Sequence, residues 1–214
     1  MIHNSNQKNA QFVSIPLTRS NTGRTTDGRL YGASDQAVIF SNMDTNNRSE
    51  WEPVVEHMSS EGYMLLTYDY IQYEDDQSEI LEDAISFVKA LGSKKIVLIG
   101  ASRGGVASVK VATRSADNDC MAGVAALSAP IEHEGIVFYS DDELKKNRIP
   151  KLLISSESDD GADDTRKMYE LFDDPKEVLF YPGNAHGTEL FGEQQESLVR
   201  KLNDFTVSVF TDRS

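Results

Sequence analysis

Lys95-Ile96-Val97-Leu98-Ile99-Gly100-Ala101-Ser102-Arg103-Gly104-Gly105-Val106-Ala107-Ser108 is the stretch on which the reading of the fold turns. A short β-branched, apolar run from Lys95 to Ile99 has the composition of a buried strand. The residues after Gly105 (Val106, Ala107, Ser108, Val111, Ala112) are small enough for a helix that packs close to a sheet. Between them stands Gly100-x-Ser102-x-Gly104, a spacing that turns a strand into a helix so sharply that the serine sits strained at the apex. Glycine at either side removes side chains that would collide there. With 14 glycines in 214 residues the five letters alone decide little, and the strand before and helix after give them their meaning.

Outward from this turn, short apolar runs alternate with helical patterns. Strands are predicted at Ala37 to Phe40, Tyr63 to Tyr68, Val124 to Leu127, Leu152 to Ser155 and Val178 to Tyr181. Ile80, Leu81, Ala84, Ile85, Val88 and Leu91 space their apolar side chains for one helix face. Further helices are predicted from Ser49, where Glu52 three residues on suggests a capping box, to about Ser60, from Thr165 to Phe172, and from Glu193 to Phe210. This alternation predicts the α/β class, a mostly parallel central sheet with helices on both faces. Phe12 to Leu17 and Arg29 to Gly32 read as an antiparallel edge separated by a turn-rich stretch, Thr18 to Gly28. Met1 to Gln11 reads as a frayed terminus. No repeat and no linker divides the chain, so a single domain over residues 1–214 is expected.

Composition narrows the function. Thirty-five Asp+Glu against 21 Lys+Arg give a formal charge of -14, which repels phosphate backbones and anionic lipid. Neither nucleic-acid nor membrane binding is therefore expected, and no apolar run approaches the roughly 20 residues a bilayer demands. Without a signal-like apolar segment at the N-terminus, and with the lone Cys120 unable to form an internal disulfide, a cytoplasmic location is the default expectation. Cys120 itself reads as a packing residue.

A serine hydroxyl at such an apex becomes a nucleophile only when a base takes its proton. Of the four histidines, His3 lies at the terminus and His57 on a helix surface. His186, in a Gly/Pro loop after the last strand, is the first candidate, and His133, in a loop beyond the Val124 to Leu127 strand, the second. The base needs an acid to hold its tautomer, and in the chain order serine, acid, histidine this falls after the Leu152 to Ser155 strand. Asp159 is the first candidate there, followed by Asp160 and Glu157. A calcium loop around Gly161 fails because positions 156 and 158 are serines. Backbone N–H groups should meet the oxyanion: Arg103, at a helix N-terminus, and Met43, with Asn42 as the alternative, in the loop after the first core strand.

Taken together, Thr26 to Gly32, Ser41 to Asp44 followed by Trp51, Gly62-Tyr63 leading to Tyr68-Asp69-Tyr70, Gly100 to Gly105, the Asp159 turn and His186-Gly187 stand in an order that resembles the α/β-hydrolase superfamily from about Arg24 to Phe210. The resemblance implies Ser102 as nucleophile, Asp159 as orienting acid, His186 as general base, Met43 and Arg103 as oxyanion donors, and no metal or organic cofactor. The chain departs from many relatives at Ser41-Asn42, where they carry His-Gly, and at Ile71 to Asp76, where they carry a Gly-rich stretch. Between Leu127 and Leu152 there is room for a loop and one short helix, not for a lid domain. The implied activity is that of the lidless dienelactone-hydrolase-like and small carboxylesterase branches, acting on a small soluble ester, lactone or thioester. A non-catalytic receptor using the same pocket is the alternative.

Overall fold

The computed structural model describes residues 10–19, 23–71, 77–115 and 120–211. Ten strands are present among them: β1 (Gln11–Pro16), β2 (Thr25–Tyr31), β3 (Gln36–Ser41), β4 (Met64–Tyr68), β5 (Lys95–Ala101), β6 (Met121–Leu127), β7 (Glu132–His133), β8 (Ile136–Val137), β9 (Lys151–Ser156) and β10 (Lys176–Tyr181). Six helices connect them: α1 (Glu52–Met58), α2 (Ser78–Ala90), α3 (Arg103–Arg114), α4 (Asp141–Lys146), α5 (Ala162–Leu171) and α6 (Leu190–Thr211).

Eight strands form one sheet in the order β1-β2-β4-β3-β5-β6-β9-β10, and β7 and β8 form a separate hairpin. The β1–β2 and β2–β4 pairings are antiparallel and the remainder of the sheet is parallel, as the alternating pattern predicts. Strand alternation sends Ile96 and Leu98 of β5 into one core and Val97 and Ile99 into the other. Helices α2, α3, α4 and α5 close the first core, and α1 and α6 close the second. Both faces are thus covered, which is why the central strands read as unbroken apolar runs. Cys120 is buried against the first core.

Several local expectations are corrected. Gln11 already pairs with Leu30, so the edge strand begins inside the stretch expected to fray; residues 1–9, including His3, lie outside the described residues, as do 72–76 of the acidic loop. The stretch from Thr25 to Gly28 is strand rather than turn, because Asp27 and Gly28 pair with Ser14 and Val13. Ser49 does not cap a helix. The Asn47 side chain accepts from the Ser49 N–H and opens a 3-10 turn, Arg48–Trp51, ahead of α1, while Glu52 pairs with Arg29 instead. The segment after β6 contains the β7–β8 hairpin as well as the expected short helix α4, and α5 and α6 each start three residues earlier than their periodicity indicates.

The β5–α3 turn is held by close backbone approach. A Cβ on Gly100 would lie 2.2 Å from the Gly104 carbonyl oxygen, and one on Gly104 would lie 2.3 Å from the Ser41 carbonyl oxygen. Glycine at 104 therefore lets the loop after β3 press directly on the first turn of α3. Between the glycines Ser102 takes φ 48° and ψ -116°, a left-handed conformation that costs a non-glycine residue on the order of 1–3 kcal/mol. Gly104→Ala is expected to destabilise the fold by about 1–3 kcal/mol in urea denaturation, because the atoms in its way are backbone. Gly192→Ala, in α6 with open space around its Cβ position, is expected to be neutral or mildly stabilising. Equal effects at the two positions would refute the close-packing account.

Candidate active site

Ser102, Asp159 and His186, although 84 residues separate the first from the last, line one cleft of about 700 Å³ at the C-terminal ends of the parallel strands. Ser102 enters from the apex of the β5–α3 turn, where its own N–H donates to the Leu127 carbonyl at 2.7 Å. Asp159 follows β9 and is buried. His186 follows β10 in the loop that Gly183, at φ 96°, turns back over the sheet. That loop is tied down at several points. Ser156 Oγ donates to the Ala185 carbonyl at 2.6 Å, the Ser158 N–H to the Gly183 carbonyl at 2.9 Å, and the His186 N–H to Glu189 Oε2 at 3.0 Å. Gly187 lies against the serine turn and the loop after β3, where a Cβ would stand 3.3 Å from the Ala101 Cβ and 3.2 Å from the Met43 sulfur.

The imidazole and carboxylate meet directly, with His186 Nδ1 2.9 Å from Asp159 Oδ1. Burial pushes the Asp159 carboxyl up, but hydrogen bonds from His186 and Ser128, the imidazole charge and a further hydrogen bond from Ser155 outweigh it and hold the group below the ordinary carboxylate value. For His186 the Asp159 hydrogen bond lifts the imidazole above the ordinary histidine value against burial. The charges of Asp159, Glu189 and Asp44 lift it further. A depressed acid contributes stability above its unfolded pKa and a raised base below its own, so the pair stabilises the fold most fully between about pH 4 and 6.5.

The other candidates are separated by geometry. His133 lines the same cleft from the exposed tip of the β7–β8 hairpin, and Asp160 lines it beside Asp159, but the paired ring and carboxylate are those of His186 and Asp159. Glu157 is exposed and His57 lies exposed on α1. Two residues that the sequence reading passed over complete the arrangement. Ser128, fully buried at φ 50°, accepts from the Gly187 N–H at 3.0 Å and also bonds Asp159, so one hydroxyl joins the histidine loop to the acid. Glu50 Oε2 accepts from Thr188 Oγ1 at 2.6 Å and from Thr45 Oγ1 at 3.0 Å, tying the histidine loop to the loop after β3.

In that loop Asn42 serves as an internal anchor. Its amide donates to the Tyr68 carbonyl at 2.9 Å and accepts from Trp51 Nε1 at 3.1 Å, while Ser41 Oγ bonds the Tyr68 hydroxyl. The Met43 carbonyl accepts from Tyr70 at 2.8 Å, and among the described residues no acceptor meets the Met43 N–H. Arg103 begins α3; its guanidinium reaches Asp44 at 3.5 Å and lies over the Tyr70 ring, which draws the side chain toward the same loop. Among the described residues no three His, Cys, Asp or Glu side chains gather to hold a metal ion, and no helix is long and apolar enough to cross a membrane.

No protein-family model matches the chain, and no curated protein matches it in sequence. Solved structures do. The esterase domain of a Rhodothermus marinus protein is similar with a TM-score of 0.75 at 18% identity, over 92% of this chain and 97% of that one. A thermophilic esterase from Thermogutta terrifontis gives 0.74 at 16%, over 94% and 100%. A monoacylglycerol lipase from Paleococcus ferrophilus gives 0.72 at 15%, over 86% and 99%. At these identities the likeness speaks for architecture, and with the strand order and the β5–α3 turn it establishes that this chain has the α/β-hydrolase fold.

Proposed function

We propose that the protein is a serine hydrolase that cleaves a small carboxylic ester, or a lactone or thioester, through an acyl-Ser102 intermediate. The observation that carries this reading is the 2.9 Å contact between Asp159 Oδ1 and His186 Nδ1, in a cleft that the strained Ser102 also lines. The names of the structures that share the fold, two esterases and a lipase, support the same class of bond.

In this reaction Asp159 keeps the imidazole proton on Nδ1, which leaves the Nε2 lone pair to take the proton of Ser102 Oγ. As Oγ adds to the carbonyl carbon, the carbonyl π pair moves onto oxygen, and that anion meets the backbone N–H groups of Met43 and Arg103 at the N-terminus of α3. The intermediate collapses by breaking the bond to the alcohol, which leaves with the proton from His186. Water then loses a proton to His186 and attacks the acyl-enzyme, and the same steps return Ser102 to its free form. Asp44 and Arg103 neutralise each other beside the oxyanion position.

Two measurements test the reading. A fluorophosphonate probe should label Ser102 and p-nitrophenyl acetate should be hydrolysed, with Ser102→Ala losing on the order of 10⁶-fold in turnover. A protein that stays unlabelled and inert while still binding an ester ligand would mark the cleft as a receptor pocket. The second is the pH profile of kcat/KM. His186 must be neutral to accept a proton, so activity should rise with pH through an apparent pKa above the ordinary histidine value of about 6.5. Asp159→Asn removes the group that raises it. The acid limb should then move to lower pH while the plateau falls by roughly 10⁴-fold from loss of the correct tautomer. Asp160→Asn should leave both nearly unchanged, and a larger effect at 160 than at 159 would reassign the acid.

A further inference from the structure

We infer that the substrate carries an uncharged apolar arm that lies along a strip formed by Val106, Ala107, Pro130, Phe138 and Ile136, with Ile136 of the β7–β8 hairpin as the specificity-determining contact. This deepens, and rests on, the hydrolase reading of Ser102. All five residues line the cleft that holds Ser102. Val106 and Ala107 follow Ser102 by four and five positions on the first turns of α3, so the strip starts beside the nucleophile. Phe138 and Ile136 extend it outward on the segment after β6.

The hairpin is built to stand still. Glu134 at φ 50° and Gly135 at φ 83° form a two-residue turn with both central residues left-handed, the type whose twist matches a strand pair. At its base the Phe138 N–H donates to the Ile131 carbonyl at 2.8 Å, and the Ile131 N–H donates to Asp164 of α5 at 2.7 Å. Ile136 is paired in register with His133, and both line the cleft. Ile136 is nevertheless 62% exposed, so a large apolar side chain is held over the site with most of its surface in water. An apolar group on the substrate would cover it and gain from leaving water.

Charge around the cleft points the same way. Asp44, Asp160, Glu132 and Glu134 line it against Arg103 and Lys110, and Arg103 is already matched with Asp44. A carboxylate on the arm would meet this excess of negative charge, whereas a neutral chain or ring would not.

Val137 supplies the internal control. It is as exposed as Ile136, at 62%, but it does not line the cleft. Ile136→Ser and Val137→Ser should be compared with wild type on two substrate series: p-nitrophenyl esters from acetate to octanoate, which vary the acyl side, and acetates from methyl to benzyl and hexyl, which vary the alcohol side. Ile136→Ser should reduce the preference for the longer substrate by roughly tenfold in one series, mainly through KM. The series affected identifies which side of the ester the strip receives. Val137→Ser should match wild type. Unchanged preference in both series for Ile136→Ser, or an equal change for Val137→Ser, overturns the inference. Fluorophosphonate labelling of all three proteins separates this from failure of the hydrolase reading: a wild type that neither labels nor turns over any ester removes both.

Discussion

The strand-to-helix turn at Ser102 depends on three stretches of backbone being packed closer than any side chain allows. Gly100 lies against the Gly104 carbonyl, and Gly104 against the carbonyls of Ser41 and Asn42. This contact does more than tighten a turn. It sets the loop after β3 against the N-terminus of α3, so the Met43 and Arg103 N–H groups are positioned by the same glycines that expose the serine. Because β3 and β5 are also paired from Gln36–Lys95 to Ser41–Gly100, the loop cannot shift without disturbing the centre of the sheet. The left-handed strain at Ser102 is sustained by that surrounding rigidity.

Asp159 and His186 reach the cleft by a different route. Neither lies on the sheet itself; each stands in a loop just beyond a strand end, where backbone would ordinarily be free to move. Here the loops after β9 and β10 are joined through the Ser156 and Ser158 contacts, and Ser128, beyond β6, bridges Asp159 to the backbone of Gly187. Fully buried, Ser128 has no water to replace these partners, so each hydrogen bond it makes also avoids the cost of an unsatisfied hydroxyl. Three successive strand ends thus hold one imidazole.

What the sequence made legible follows from how far each signal reaches. The central strands are buried on both faces, so their apolar runs stand out, and the glycine spacing around Ser102 is legible because an apolar strand leads into it and a small-residue helix follows it. Order along the chain brings the acid only as far as the loop after β9, where Asp159, Asp160 and Glu157 all satisfy it, and the geometry pairs Asp159 with His186. The β7–β8 hairpin escaped notice because two-residue strands carry no periodicity, and its Glu134-Gly135 turn is weaker than the Asn-Gly or Asp-Gly signals that mark hairpins. Asn47 and Ser49 are both good N-cap residues two positions apart, so the sequence pattern alone does not separate them, and it is the Asn47 side chain that accepts from the Ser49 N–H. Ser128 gave no signal at all, since a serine after a buried strand is common and its two partners lie far along the chain.

The distribution of acidic residues over the helices adds a last constraint. Five of the six helices carry Asp or Glu in the first turn: Glu52 in α1, Glu79 in α2, Asp141, Asp142 and Glu143 in α4, Asp163 and Asp164 in α5, and Glu193 in α6. Such residues offset the partial positive charge of a helix N-terminus. Among the helices of the described residues only α3, which starts at the serine turn, has none, in a chain with 35 acidic residues. Its first turn instead carries Arg103 followed by two glycines, and Asp44, from the loop after β3, meets the Arg103 guanidinium at 3.5 Å. The dipole at this one helix end is therefore left uncompensated by its own side chains, at the position where the proposed reaction places negative charge on the carbonyl oxygen. A surface of net charge -14 would otherwise oppose that charge, so an acid-free first turn on α3 is a local exception that suits the proposed chemistry at Ser102.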